Sequence, residues 1–385
     1  MTKTEDAGWV RTWGTSPQAI DAVFADVTLR QEVRVSGGGQ RVRVRFTNEC
    51  GTGPLTIGAA RLGLAVPGGG VKPDSDRALT FGGRAATTVP AGAPILSDPV
   101  DLPLDALTRL SISLHLPGRV ESCTGHDMPL DVGWAIPGNA VAAHTLPPNA
   151  EPLPAQGFVS AVEVVPDGPA GAVVALGDSR VDGAGSTAGL NRSWPDRLAE
   201  RGLHVSNQGI SGNRMLNDGL GPSGLARFDR DVLATPGLGH VLVSIGGNDL
   251  AISFAPRDDG PLAEFLAMFP GDPVTADDVI AGHQQMIARA HDRGVRIYGA
   301  TMAPYEGDEI FSEEGDAARR AVNHWIRTSG AFDAVLDFDA VWRDPARPSR
   351  IRDDLHSGDH LHGNDAGYQA LADSIDLSLF SRGAF

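Results

Sequence analysis

Two hydrophobic grammars divide the chain. Val27-Thr28-Leu29-Arg30-Gln31-Glu32-Val33-Arg34-Val35 is rich in β-formers and partly alternates, and Arg41-Val42-Arg43-Val44-Arg45-Phe46 alternates strictly. Gly37-Gly38-Gly39 between them reads as a turn, so the pair predicts a hairpin with one wet face. Leu55–Leu62 and Leu110–Leu116 repeat the style. Short strands between Gly/Pro turns, with no helical pattern, predict an all-β sandwich or jelly roll over residues 1–165.

A Pro-rich connector, Leu146-Pro147-Pro148 through Pro152-Leu153-Pro154, precedes a change of pattern. Apolar runs Ala172–Leu176, Val205–Gln208, Val241–Ile245, Val295–Thr301 and Ala334–Phe338 then alternate with amphipathic stretches. Near-continuous apolar strands fit a parallel sheet covered on both faces. Ala276–Arg293 has helical spacing in Val279, Ile280, His283, Met286, Ile287 and Ala290, with Asp277 and Asp278 near its start and Gly294 after its end. A last helix is expected from Asp365 to about Leu379. The alternation predicts a doubly wound α/β sheet over residues 166–385, with ligands beyond the carboxyl ends of the strands.

Composition narrows the partners. A length of 385 residues accommodates two domains. The net charge of −16 opposes phosphate backbones and anionic lipid, so nucleic acid and membrane surfaces are not expected partners. The two cysteines, Cys50 and Cys123, lie in no C-x-x-C pattern and are expected to be unpaired thiols. Met1-Thr2-Lys3-Thr4-Glu5-Asp6 is followed by no apolar segment, and no uncharged run reaches the ~18 residues of a membrane span. A cytoplasmic protein is expected, or a secreted one without its leader.

Four polar clusters follow the predicted strands: Gly177-Asp178-Ser179, then Asn207-Gln208-Gly209-Ile210-Ser211-Gly212-Asn213, then Gly246-Gly247-Asn248-Asp249, and finally Asp359-His360-Leu361-His362. Together they supply the parts of acyl transfer. A serine hydroxyl is a weak nucleophile until a base takes its proton. His362 can take it, and Asp359, three residues earlier, can fix the imidazole tautomer. The backbone N–H groups of Ser179 and Gly212 and the side-chain amide of Asn248 are candidate oxyanion donors. Asp178 and Asp249 are expected to order their turns. This chemistry requires no metal and no cofactor.

Gly-Asp-Ser, the glycine of the second cluster, Gly-x-Asn-Asp and Asp-x-x-His resemble, in order, the four signature blocks of the SGNH, or GDSL-type, hydrolases. Trp194-Pro195 is similar to the family pattern as well. The resemblance covers about 171–385 and implies a flavodoxin-like fold and hydrolysis of esters, thioesters or acetylated sugars. The β-rich part resembles, more loosely, the jelly-roll-like module of some bacterial members. Arg180 stands where the family usually carries Leu or Ile, and Gly363 where Pro is common. No Gly-x-Ser-x-Gly elbow occurs.

The expectation is therefore a serine esterase acting on short-acyl or acetyl esters of small molecules or carbohydrates. Its rivals are a glycan O-deacetylase guided by the β-domain and a decayed hydrolase that only binds carbohydrate. A third reads Asp353, Asp354, His356, Asp359, His360 and His362 as metal ligands. Arg180 would either favour anionic substrates or reach solvent or Asp182. The apolar 250–275 stretch, with Phe254, Leu262, Phe265, Leu266, Met268 and Phe269, would wall an acyl pocket or pack on the domain.

Overall fold

The computed structural model describes residues 8–127, 129–153, 155–257 and 260–381. Met1–Asp6, read above for a leader, and Pro154 of the connector lie outside them. The chain divides into two compact units. One takes in the chain up to Ala172 with Ala188–Asn191 and Ala199–Ser206; the other takes in Val173–Thr187, Arg192–Leu198 and the chain from Asn207 onward.

Before Gly171 the described residues form strands, with one 3-10 turn at Pro73–Ser75. Seven strands make one sheet and five another. Leu29, Leu62, Leu110, Ile112 and Leu114 of the first share a single buried cluster with Val42, Val44, Phe46, Val162 and Val164 of the second. This is a sandwich built on one apolar core.

The expected hairpin does not form. Phe24–Arg34 pairs with Arg109–Val120 and Gly133–Pro137, whereas Gly39–Thr47 pairs with Val159–Val165 in the other sheet. Alternation shows which face of a strand is apolar, not which strand lies beside it. Here the two apolar faces meet across the core. Gly37–Gly39 have no positive φ, so they form no two-residue hairpin turn. Gly38 and Gly39 are needed for close approach: a Cβ there would lie 2.2 Å from the Leu104 carbonyl oxygen and 2.3 Å from that of Val165. Nor does Phe24–Arg34 have a wet face. Arg30 is fully buried and donates to Ser113 Oγ and to the carbonyls of Gly69 and Ala143. Cys50 and Cys123 form no disulfide, and burial pushes the Cys123 thiol up to about 11.

From Ala172 onward the chain builds a five-stranded parallel sheet in the order His204–Gly209, Ala172–Gly177, Leu238–Ser244, Arg296–Ala300, Ala334–Leu336. That is the flavodoxin-like order 2-1-3-4-5. The fifth strand ends before Phe338 because the Asp337 carboxylate accepts from Ala340 N–H and starts a helix, Phe338–Trp342. Thr275 and Asp278 form a capping box at the Ala276–His291 helix. The last helix, Asp365–Ser374, ends sooner than expected, and a 3-10 turn at Leu377–Phe380 follows. Among the described residues no helix is long and apolar enough to cross a membrane.

His283 sits in this core, stacked on Trp325 and edge-on to Phe332. Neither ring nitrogen has a hydrogen-bond partner among the described residues. Burial pushes its pKa down to about 3. The unfolded imidazole protonates near pH ~6.5, so the unfolded state binds more protons below that value. Stability that is present above pH ~6.5 is therefore lost as pH falls toward ~3. His283→Leu removes this penalty. Chemical unfolding of parent and variant at a series of pH values should show the variant gaining on the parent by on the order of a few kcal/mol from pH 7 to pH 4. Parallel stability curves would refute it.

Candidate active site

The structure brings Ser179, His362 and Asp359 into one hydrogen-bonded line. Ser179 Oγ lies 2.9 Å from His362 Nε2, and His362 Nδ1 lies 2.7 Å from Asp359 Oδ2. Ser179 opens a short helix, Ser179–Asp182, directly after the first strand of the sheet. Asp178 caps it by accepting from Arg180 N–H, and Gly183 closes it in the left-handed region at φ 108°. As the first helical residue, Ser179 has a backbone N–H with no partner in its own helix.

Asp359 organises its own loop. Its Oδ1 accepts from the backbone N–H of Leu361 and of His362, both at 2.9 Å. Burial acts to raise this carboxyl's pKa, but the hydrogen bonds from the His362 ring, His362 N–H and Leu361 N–H outweigh it and hold the group well below the usual carboxylate range. It stays ionised, as the partner of an imidazole must. His360 adopts φ 60° within this turn. His356 and His360 do not join the line. Their rings lie 4.3 Å apart, and His356 Nδ1 accepts from the N–H groups of Gly358 and His360. Among the described residues no group of three or more His, Cys, Asp or Glu is placed to hold a metal ion.

Asn248 and Ser179 line one cavity of about 20 Å³ with Leu250, Ala251, Met302 and Tyr305. Asn248 spends one amide N–H on the Asn213 carbonyl, at 2.9 Å, and retains a second. Gly212 does not border the cavity but precedes Asn213. It has φ 74°, and a Cβ there would lie 2.5 Å from Leu220 Cδ1, so only glycine suits the position. Asp249 hangs the same loop, accepting from the N–H groups of Met215 and Leu216. Burial raises its pKa to about 6 in spite of those bonds.

Three supporting residues carry no signature in the sequence. Asp182 accepts from both the N–H and the hydroxyl of Ser211. Arg227, fully buried, donates to the carbonyls of Gly177 and Gln208 and to Asn213 Oδ1. Tyr368 Oη donates to the Ala184 carbonyl and ties the last helix to the chain beyond the nucleophile. Arg180 is bound to main-chain groups. Its guanidinium donates to the carbonyls of Leu361, Ala303 and Pro304. Of the residues singled out in the 250–275 stretch, Leu262, Leu266 and Phe269 pack in a satellite cluster that includes Tyr305, Phe254 packs against the main core, and Phe265 and Met268 are exposed; Ala251 of the satellite cluster lines the cavity.

A model of the GDSL-like lipase/acylhydrolase family matches residues 175–370, just over half of the chain. No curated protein matches it. Solved structures similar to it include a lipolytic protein of the G-D-S-L family from Desulfitobacterium hafniense, 21% identical, with a TM-score of 0.40 over 53% of this chain and 96% of that one. An aryl esterase from M. smegmatis is 16% identical, with a TM-score of 0.41 over 55% of this chain and 99% of that one. An acetyl xylan esterase variant from Geobacillus stearothermophilus is 21% identical, with a TM-score of 0.38 over 54% of this chain and 93% of that one. By the match over 175–370, the chain belongs to the GDSL-like lipase/acylhydrolase family and is a serine ester hydrolase.

Proposed function

We propose that the protein hydrolyses short-acyl esters of small molecules or carbohydrates by two-step acyl transfer through Ser179. His362 Nε2 takes the hydroxyl proton as Oγ attacks the ester carbon, then delivers it to the departing alcohol. The acyl-Ser179 ester is then cleaved by water that His362 deprotonates in turn. Asp359 keeps Nδ1 protonated and stabilises the imidazolium. The oxyanion takes hydrogen bonds from Ser179 N–H, Gly212 N–H and the free amide N–H of Asn248. The observation that carries this reading is the unbroken Ser179–His362–Asp359 line, at 2.9 and 2.7 Å.

The cavity beside Ser179 supports the short-acyl assignment: it is about 20 Å³ in volume and bordered by Leu250, Met302 and Tyr305; a long chain would have to lie outside it. Every residue given a chemical role lies within 166–385, and residues 1–165 act as an accessory domain in this reading.

Ser179→Ala should lower kcat by orders of magnitude with an unchanged thermal midpoint, and a fluorophosphonate should label Ser179 in the parent. Labelling of a different serine would refute the mechanism. His362→Ala should be as inactive, whereas EDTA should leave the parent unaffected. Asn248→Ala should cost roughly 10²–10³ in kcat with little change in KM, the usual loss for one oxyanion donor. A change confined to KM would place the hole elsewhere. Across p-nitrophenyl esters, kcat/KM should be highest for acetyl and fall with each added methylene; a maximum at octanoyl would overturn the short-acyl assignment.

A further inference from the structure

Arg180 adjoins the nucleophile, yet the partners of its guanidinium are main-chain carbonyls of two other loops. Nε donates to Leu361 O at 3.0 Å, Nη1 to Ala303 O at 3.0 Å and Nη2 to Pro304 O at 3.3 Å. The side chain thus runs from the helix that carries Ser179 to the loop that carries His362, and to the segment that follows the Arg296–Ala300 strand.

We propose that Arg180 is a positioning residue that sets the Ser179–His362 distance. The inference rests on the reading of these two residues as nucleophile and base. Asp359 alone cannot set that distance, because it lies three residues from His362 in the same loop and would move with it. Arg180 and Leu361 are the immediate neighbours of the two reacting residues, so the lever between them is short. The Leu361–His362 peptide group is held at both ends: its carbonyl accepts from Arg180 Nε, and its N–H donates to Asp359 Oδ1 at 2.9 Å. The plane from which the imidazole springs is thereby fixed relative to the nucleophile helix. The same guanidinium fixes Ala303, which lines the cavity with Ser179 and Asn248. The three carbonyls are met by three different nitrogens of one planar fork, whereas a lysine ammonium offers its donors from a single atom on a flexible stem.

The test combines Arg180→Leu, Arg180→Lys and Arg180→Ala with steady-state kinetics on an acetyl ester and fluorophosphonate labelling. In Arg180→Leu, kcat should fall roughly 10–100-fold, the range expected when reacting atoms are misplaced by up to an ångström, with KM within about threefold of the parent. The labelling rate should fall in step, because it needs the same serine–imidazole couple. Arg180→Lys, which keeps the charge and guards against misfolding of the leucine variant, should recover only a minor part of kcat. Sub-denaturing guanidinium ion should raise kcat of Arg180→Ala several-fold, and sodium ion at equal ionic strength should not. Parental kcat in the leucine variant would overturn the proposal. So would a loss confined to KM for anionic esters that shrinks at high salt, which would make Arg180 a substrate contact. Loss of activity only in proportion to a lowered thermal midpoint, without guanidinium rescue, would make it a stability residue and also overturn the proposal. Fluorophosphonate labelling of the parent separates the two failures. An unlabelled Ser179 in the parent refutes the catalytic reading itself; a labelled parent with an equally fast leucine variant refutes only the role of Arg180.

Discussion

A backbone group at the end of a parallel strand loses its ladder partner but not its need for one. The loops of Ser179, Gly212 and Asn248 begin where strands stop, and buried N–H and C=O groups left unpaired would cost about 1–3 kcal/mol apiece. The protein meets this need with side chains from short helices nearby. Arg227 closes off the carbonyls of Gly177 and Gln208, at the ends of adjacent strands, and reaches Asn213 beyond. Asp249 takes the N–H groups of Met215 and Leu216. Asp182 takes that of Ser211. Satisfying the backbone and fixing the site are therefore the same set of bonds.

This accounts for buried charge in an acidic chain. The Arg227 guanidinium is fully buried, and burial lowers its pKa even though it faces Asp231 and donates to carbonyl oxygens. Asp249 shows the same balance in a carboxyl. It has two backbone donors and its pKa is still raised to about 6, so burial outweighs hydrogen bonding there. A neutral asparagine of the same shape would carry the loop less well, because one of its terminal atoms donates rather than accepts.

The sequence made legible what is local. Gly-Asp-Ser, Gly-x-Asn-Asp and Asp-x-x-His each lie within a few residues, because a cap, an oxyanion donor or an imidazole–carboxylate pair is assembled by a single turn. The five apolar runs after residue 171 are all strands, since a parallel sheet covered on both faces leaves no polar alternation to confuse. The hairpin failed because alternation cannot distinguish two strands side by side from two strands face to face. The roles of Arg180, Arg227 and Asp182 were not legible for a common reason: each binds main-chain groups, which have the same chemistry at every position and leave no mark in a sequence.

Strand order explains why the base needs more support than the oxyanion donors. The first strand lies between the second and the third, so the loops of Ser179, Gly212 and Asn248 emerge side by side at the switch point of the sheet. His362 follows the fifth strand, three positions away from the first, roughly 14 Å across the sheet at ~4.8 Å per strand. No register brings it to Ser179; a long connection has to carry it back. Such a connection must be held from the side it arrives at. Tyr368 binds the Ala184 carbonyl just past the nucleophile helix, and Gly185 admits the Gly363 carbonyl so closely that a Cβ would lie 2.6 Å from it. The nucleophile and the oxyanion loops owe their meeting to topology, whereas the nucleophile and its base owe theirs to side chains that tie the returning loop down.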